Sequence, residues 1–120
     1  MAHKIFVFGS NLMGIHGAGA ALEAKQKWGA KHGEGHGLTG RAYALPTKVS
    51  PARSLTLEQI KEYVDQFLLV ASKQWMCQFI LTPIGCGLAG YTPEQIAPMF
   101  KDARGNVRLP EVFEKILNAD

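Results

Sequence analysis

Phe79 to Thr92 reads FILTPIGCGLAGYT. Its opening, Phe79-Ile80-Leu81, is a short apolar, β-favouring run of the kind that forms a strand covered on both faces, as parallel strands between helices are. Gly85, Gly87 and Gly90 then fall within six residues, and Thr92-Pro93-Glu94-Gln95 follows with an N-cap, a proline at the first helical position and a capping-box glutamine. The order is buried strand, glycine-rich loop, helix N-terminus. Glycines let backbone N–H groups approach phosphate oxygens without interference from Cβ, and the free amides and dipole of a helix start favour negative charge. The plainer alternative is a tight strand-to-helix turn that needs only positive φ. Three glycines plus Ala89 exceed what such a turn demands, so the stretch reads as a phosphate cradle.

The same order occurs near the start of the chain. Ile5-Phe6-Val7-Phe8 reads as a strand ended by Gly9-Ser10-Asn11, and GSNLMGIHGAG from Gly9 to Gly19 places four glycines in eleven residues. Ala18 to Trp28 then takes up helical spacing, with Ala18, Ala21, Leu22 and Trp28 on one face, and Gly29 closes the helix. Neither loop is a dinucleotide fingerprint. Leu22 stands where the third glycine belongs, and no acidic residue ends a second strand about twenty residues on.

Between the two loops, KHGEGHGLTG from Lys31 to Gly40 carries His32 and His36 four apart. Gly33, Gly35 and Gly37 leave that backbone too free to hold metal ligands, so the segment is expected to be a mobile or ligand-covering loop. Arg41 to Leu45 resumes strand character, and Pro46-Thr47-Lys48 is expected to end it, which puts Lys48 just past a strand end at the sheet edge. Thr56-x-x-Gln59 opens the longest helix, with Leu57, Ile60, Val64, Phe67, Leu68 and Ala71 at core spacing. After the central loop the spacing predicts a helix from about Thr92 to Ala103, an edge strand over Asn106 to Leu109 and a last helix from Pro110 to Leu117. Strands alternating with helices imply an α/β fold, a single domain over residues 1–120 with a mostly parallel or mixed sheet covered on both sides. Both glycine loops then emerge at the carboxyl ends of their strands, where such folds bind ligands.

Composition agrees with one modest core: 120 residues, 47% hydrophobic and 19% charged, with thirteen glycines that cluster instead of repeating. The net charge of +3 and pI near 9.0 are mildly basic, but Lys and Arg are scattered singly, which suits a small anionic ligand at least as well as nucleic acid. No signal-peptide core or membrane-length apolar run is present, so a cytoplasmic location and no membrane partner are expected. Two cysteines, Cys77 and Cys86, make neither a disulfide framework nor a zinc spacing. No metal and no cofactor are expected.

On these residues the chain resembles the macro domain family, whose members bind ADP-ribose and related nucleotides. IGCGLAGY at Ile84 to Tyr91 is similar to the family's phosphate-binding loop, and Ser10-Asn11 followed by HGAGAALEAKQKWG from His16 to Gly29 is similar to its other loop and helix. The branch it most resembles contains terminal ADP-ribose protein glycohydrolase, because a glycine loop, a strand ending in Thr-Lys and an Ile-Gly-Cys-Gly loop occur in the same order. The resemblance implies a three-layer α/β/α macro-like domain. It assigns ligand binding to Gly9, Ser10, Asn11, Gly17, Ala18 and Gly19, to Thr47, and to Ile84, Gly85, Cys86, Gly87, Leu88, Ala89, Gly90 and Tyr91.

The resemblance also implies catalysis, through a lysine that attacks the ribose and an aspartate in the second loop that moves the proton. Lys48 matches the lysine, but Ala89 stands in place of the aspartate and no carboxylate lies between Phe79 and Thr92. A nucleophilic lysine must be neutral, whereas a lysine beside a diphosphate has its charged form favoured. Lys48 therefore reads first as a positive contact. His16 is the nearby group of suitable chemistry to replace the acid or base, against the plainer role of shaping its turn. The expected function is binding of an ADP-ribose-type nucleotide, with removal of ADP-ribose from an ester or phosphate as the lesser outcome. The rival class is a non-enzymatic module for nucleic acid or a protein partner, disfavoured by the lack of an aromatic-basic stripe. Nothing in the sequence speaks to self-association.

Overall fold

The chain runs β1 (Lys4–Asn11), α1 (Gly19–Lys27), β2 (Gly37–Thr39), β3 (Ala42–Ser50), β4 (Arg53–Ser54), α2 (Leu57–Lys73), β5 (Gln78–Leu81), α3 (Pro93–Ile96), a 3₁₀ turn (Ala97–Phe100), β6 (Val107–Arg108) and α4 (Glu111–Leu117) in a computed structural model that describes residues 3–119. The strands form one mixed sheet in the order β2-β3-β1-β5-β6, with β4 added beside the end of β3. β1 lies parallel to both β3 and β5, β5 is parallel to β6, and β2 and β4 are antiparallel to β3. With a Cα radius of gyration of 13.1 Å, this is a compact α/β domain, with six strands and four α-helices among the described residues.

Strand alternation divides the core. Phe6, Phe8, Ala42 and Ala44 gather with Ala24 of α1, and Ala20, Ala21 and Trp28 pack around them. The small side chains at positions 42 and 44 leave room for α1, whose residues are themselves mostly alanine where they touch the sheet. Val7, Tyr43, Leu45, Phe79 and Leu81 point to the other face and meet Ile60, Val64, Phe67 and Ala71 of α2 together with Ile96, Phe100 and Phe113. The core stripe expected on α2 is in place, with Leu57 and Leu68 half-buried at its margin. Both capping boxes form: Thr56 and Gln59 exchange bonds at the start of α2, and Thr92 and Gln95 do so at α3.

Local turn signals mislead in two places. β1 runs on through Gly9-Ser10-Asn11, and β3 runs on through Pro46-Thr47-Lys48 to Ser50, because the two strands pair with each other as far as Asn11 and Lys48, with one irregularity after Ser10. Lys48 is thus not beyond a strand end at the sheet edge; it lies within β3, flanked by β1 and β4. The helix expected over 92–103 is a single α-turn followed by a 3₁₀ turn, since Pro98 lacks an amide to donate and its ring crowds the preceding turn.

The Lys31–Gly40 segment is not a cover over the ligand face. It packs behind the first glycine loop, backbone against backbone: the Gly33 amide donates to the Gly14 carbonyl at 2.9 Å, and the Ser10 hydroxyl donates to the Gly35 carbonyl at 2.5 Å. A Cβ on Gly35 would lie 2.1 Å from the Asn11 carbonyl oxygen, so here glycine provides close approach and not mobility. Gly35→Ala is expected to cost about 1–3 kcal/mol, the range of overpacking, as a lower urea midpoint with an unchanged slope. An unchanged midpoint would mean that the two loops do not depend on this contact.

Candidate functional site

The carboxyl ends of β3, β1 and β5 lie side by side. From β1 the chain crosses by α1 to β3, and from β3 it crosses by α2 to β5 on the other side of β1. This reversal places a crevice outside the strand ends, where open α/β sheets take ligands. A cavity of about 640 Å³ occupies it, within the size range of small-molecule sites.

Two stretches with unbonded backbone amides line this cavity. The second loop brings Ile84, Gly85, Cys86, Gly87, Leu88 and Ala89 to its wall, and among the described residues the amides of Gly85, Gly87, Leu88 and Ala89 have no hydrogen-bond acceptor. The first loop brings Gly17, Ala18 and Gly19 together with Ala20 and Ala21, the first turn of α1. Ala18 is the N-cap and has no polar side chain, and the first in-helix bond runs from the Leu22 amide to the Ala18 carbonyl. The amides of residues 19–21 therefore remain free, as helix starts leave them. Among the described residues no carboxylate lines the cavity, and Lys48 is the one charged side chain that does.

The second loop is held open by its own frame. The Ser54 hydroxyl donates to the Ala89 carbonyl at 2.8 Å, the Tyr91 hydroxyl to the Leu55 carbonyl at 2.5 Å, and the Tyr91 amide to the Gly85 carbonyl at 2.9 Å. Gly90 and Tyr91 therefore shape the loop from outside and do not line the cavity. Gly85 sits at φ +77° with Ile96 where a Cβ would go, so it must be glycine for conformation and space together.

The first-loop side chains are largely committed. Asn11 lines the cavity, but its amide group donates to the Ile15 carbonyl at 2.8 Å and accepts from the Ile15 amide at 3.1 Å, which closes the loop. The buried Ser10 hydroxyl is spent on Gly35, and the Thr47 hydroxyl donates to the Ser10 carbonyl at 3.4 Å. Gly9 lines the cavity floor between Thr47 and Ile84. Lys48 is half-buried, and its Nζ donates to the Pro51 carbonyl.

His16 is placed behind the loop, outside the cavity wall. It is 2% exposed, with Nε2 3.0 Å from the Lys31 carbonyl and its ring edge-on to Phe8, and Nδ1 is buried without a partner. Facing a carbonyl, Nε2 is assigned as the donor of this contact. The imidazole fixes the loop against the Lys31–Gly40 segment and is not among the residues that line the cavity. Burial, and secondarily the Glu94 charge, push the Cys86 thiol up, which keeps it protonated and unreactive. Among the described residues no group of three or more His, Cys, Asp or Glu is arranged to hold a metal ion, and no helix is long and apolar enough to cross a membrane.

Ile15, Ala20, Ala21, Pro51, Thr82 and Pro83 also line the cavity and were not expected there. They are chemically plain, and only the positions of Ala20 and Ala21 at a helix start and of Thr82 directly before the loop hinted at such a place. The chain matches no protein-family model, no curated protein and no solved structure.

Proposed function

We propose that the chain is a macro-like three-layer α/β/α domain that binds an ADP-ribose-type nucleotide without hydrolysing it. One observation carries the reading: two stretches with unpaired backbone amides line one cavity, and no carboxylate among the described residues lines it. An anionic diphosphate satisfies both groups, with the helix dipole adding to the α1 side. Ile15, Pro51, Pro83 and Leu88 supply apolar wall for the base and sugars on either side. Hydrolysis is disfavoured because the wall offers no acid–base partner for Lys48: Ala89 is mute, His16 lies behind the loop, and Cys86 is held as a thiol.

Calorimetry against ADP-ribose, NAD, ADP and short oligonucleotides tests this reading, with ADP-ribose expected to bind saturably at one site. No heat with any nucleotide at millimolar concentration would overturn it. Lys48→Ala is expected to weaken ADP-ribose affinity by about three- to tenfold, a loss that shrinks as salt rises. Borohydride is expected to trap no lysine–ribose adduct in the wild type. An adduct on Lys48 would instead make the chain an enzyme.

A further inference from the structure

Among the described residues six polar side chains line the cavity, those of Ser10, Asn11, Thr47, Lys48, Thr82 and Cys86, and each is bonded to a main-chain carbonyl of the protein itself. The hydroxyls of Ser10, Thr47 and Thr82 have one proton each and give it to the carbonyls of Gly35, Ser10 and Val7, at 2.5, 3.4 and 2.7 Å. What remains of them is an acceptor oxygen, and Ser10 and Thr47 are both 3% exposed. Asn11 is the one side chain in the wall that carries a donor and an acceptor side by side, and both close on Ile15, at 2.8 and 3.1 Å. Lys48 keeps protons beyond the one given to Pro51, but an ammonium goes to phosphate oxygens before a neutral base. On the second loop the carbonyls of Pro83, Ile84, Gly85, Gly87 and Ala89 already accept bonds from within the protein. That loop therefore offers a ligand chiefly donors.

We propose that the cavity takes purine nucleotides of this type without reading which purine they carry, which rests on the nucleotide-binding reading above. Adenine presents an amino donor beside the N1 acceptor, and hypoxanthine reverses the pair to a carbonyl acceptor beside an N1–H donor. A site that separates the two holds a matching donor and acceptor next to each other. Asn11 is the wall side chain with that pair, and its groups are closed on Ile15. Free backbone amides can meet N3 or N7, which are acceptors in every purine. Contact with the ring falls to Ile15, Pro51, Pro83 and Leu88. Apolar surface of this kind senses size and shape but does not strongly reject an isostere that differs in a polar group. Selectivity therefore lies with the diphosphate and the sugars, where the free amides are.

The test is calorimetry of the whole protein with ADP-ribose and with its hypoxanthine analogue, in which a carbonyl replaces the adenine amino group and the rest of the molecule is kept. The two dissociation constants are expected to agree within about threefold, and both ligands are expected to move the same backbone amide resonances of Gly85, Gly87, Leu88 and Ala89. Leu88→Ala is expected to weaken both ligands by the same factor, about three- to tenfold, because it removes ring contact and no base-edge hydrogen bond. A loss greater than about tenfold for the hypoxanthine analogue in the wild type would overturn the proposal, since a hydrogen-bonded base edge discriminates by orders of magnitude. Binding of ADP-ribose would then still stand. A Leu88→Ala loss confined to ADP-ribose, or a different set of shifted amides with the analogue, would also overturn it. Binding of neither ligand would defeat the nucleotide reading itself, and this proposal with it.

Discussion

Gly87→Val is expected to lower ADP-ribose affinity by about a hundredfold or more while the thermal midpoint stays within a few degrees of wild type. Gly87 lines the cavity, its backbone does not occupy the left-handed region, and no atom lies within 4 Å of where its Cβ would stand. The protein therefore accommodates the side chain, and the ligand does not. A branched side chain there covers the amides of Gly87 and Leu88. Losing two charge-assisted hydrogen bonds at about 1.5–3 kcal/mol each gives the stated factor or more. Gly17→Val is the matching change on the opposite wall, again with nothing within 4 Å of the new Cβ. Gly85→Val would not discriminate, because φ +77° and the Ile96 contact make it a folding variant. Wild-type affinity in folded Gly87→Val would reduce the loop to a turn.

Phe67→Ala is expected to carry the largest stability loss. The ring is fully buried at the centre of the larger core, 5.0 Å from Tyr43, 5.5 Å from Phe79 and 6.4 Å from Phe100, and so ties α2 to β3, β5 and the 3₁₀ turn. Truncation leaves a cavity walled by rings that strand pairing holds apart. About 3–5 kcal/mol is the cost of such a change, against a total stability of about 5–15 kcal/mol. Urea unfolding reads this directly, and a loss below about 1 kcal/mol would mean the rings collapse into the gap.

What was legible in the sequence was whatever local chemistry decides. The alternation of Phe6, Val7 and Phe8, the stripe on α2, and the boxes at Thr56–Gln59 and Thr92–Gln95 each depend on residues a few positions apart. Elements that depend on partners far along the chain were not legible. β1 and β3 pass through a glycine and a proline because they bond to each other, and β2 and β4 are too short to announce themselves except beside β3. The same limit applied to the site. Both glycine loops could be named, whereas Gly35 was read as freedom when it serves contact with Asn11, and of the two roles open to His16, acid–base group or shaper of its turn, the buried position behind the loop fits the second. Pro51 and Pro83 carry no chemical signal at all, and the stacking of Phe6 and Arg41 on Trp28 exists only once β1, α1 and Arg41 are folded together.

The central claim is that one anionic ligand engages both sets of free amides at once. Backbone amide shifts of ¹⁵N-labelled protein titrated with ADP-ribose test it most directly. The account predicts that the resonances of Gly85, Gly87, Leu88 and Ala89 and those of Gly19, Ala20 and Ala21 move together and saturate with a single dissociation constant. Shifts confined to one loop, or no saturable shift, would contradict it.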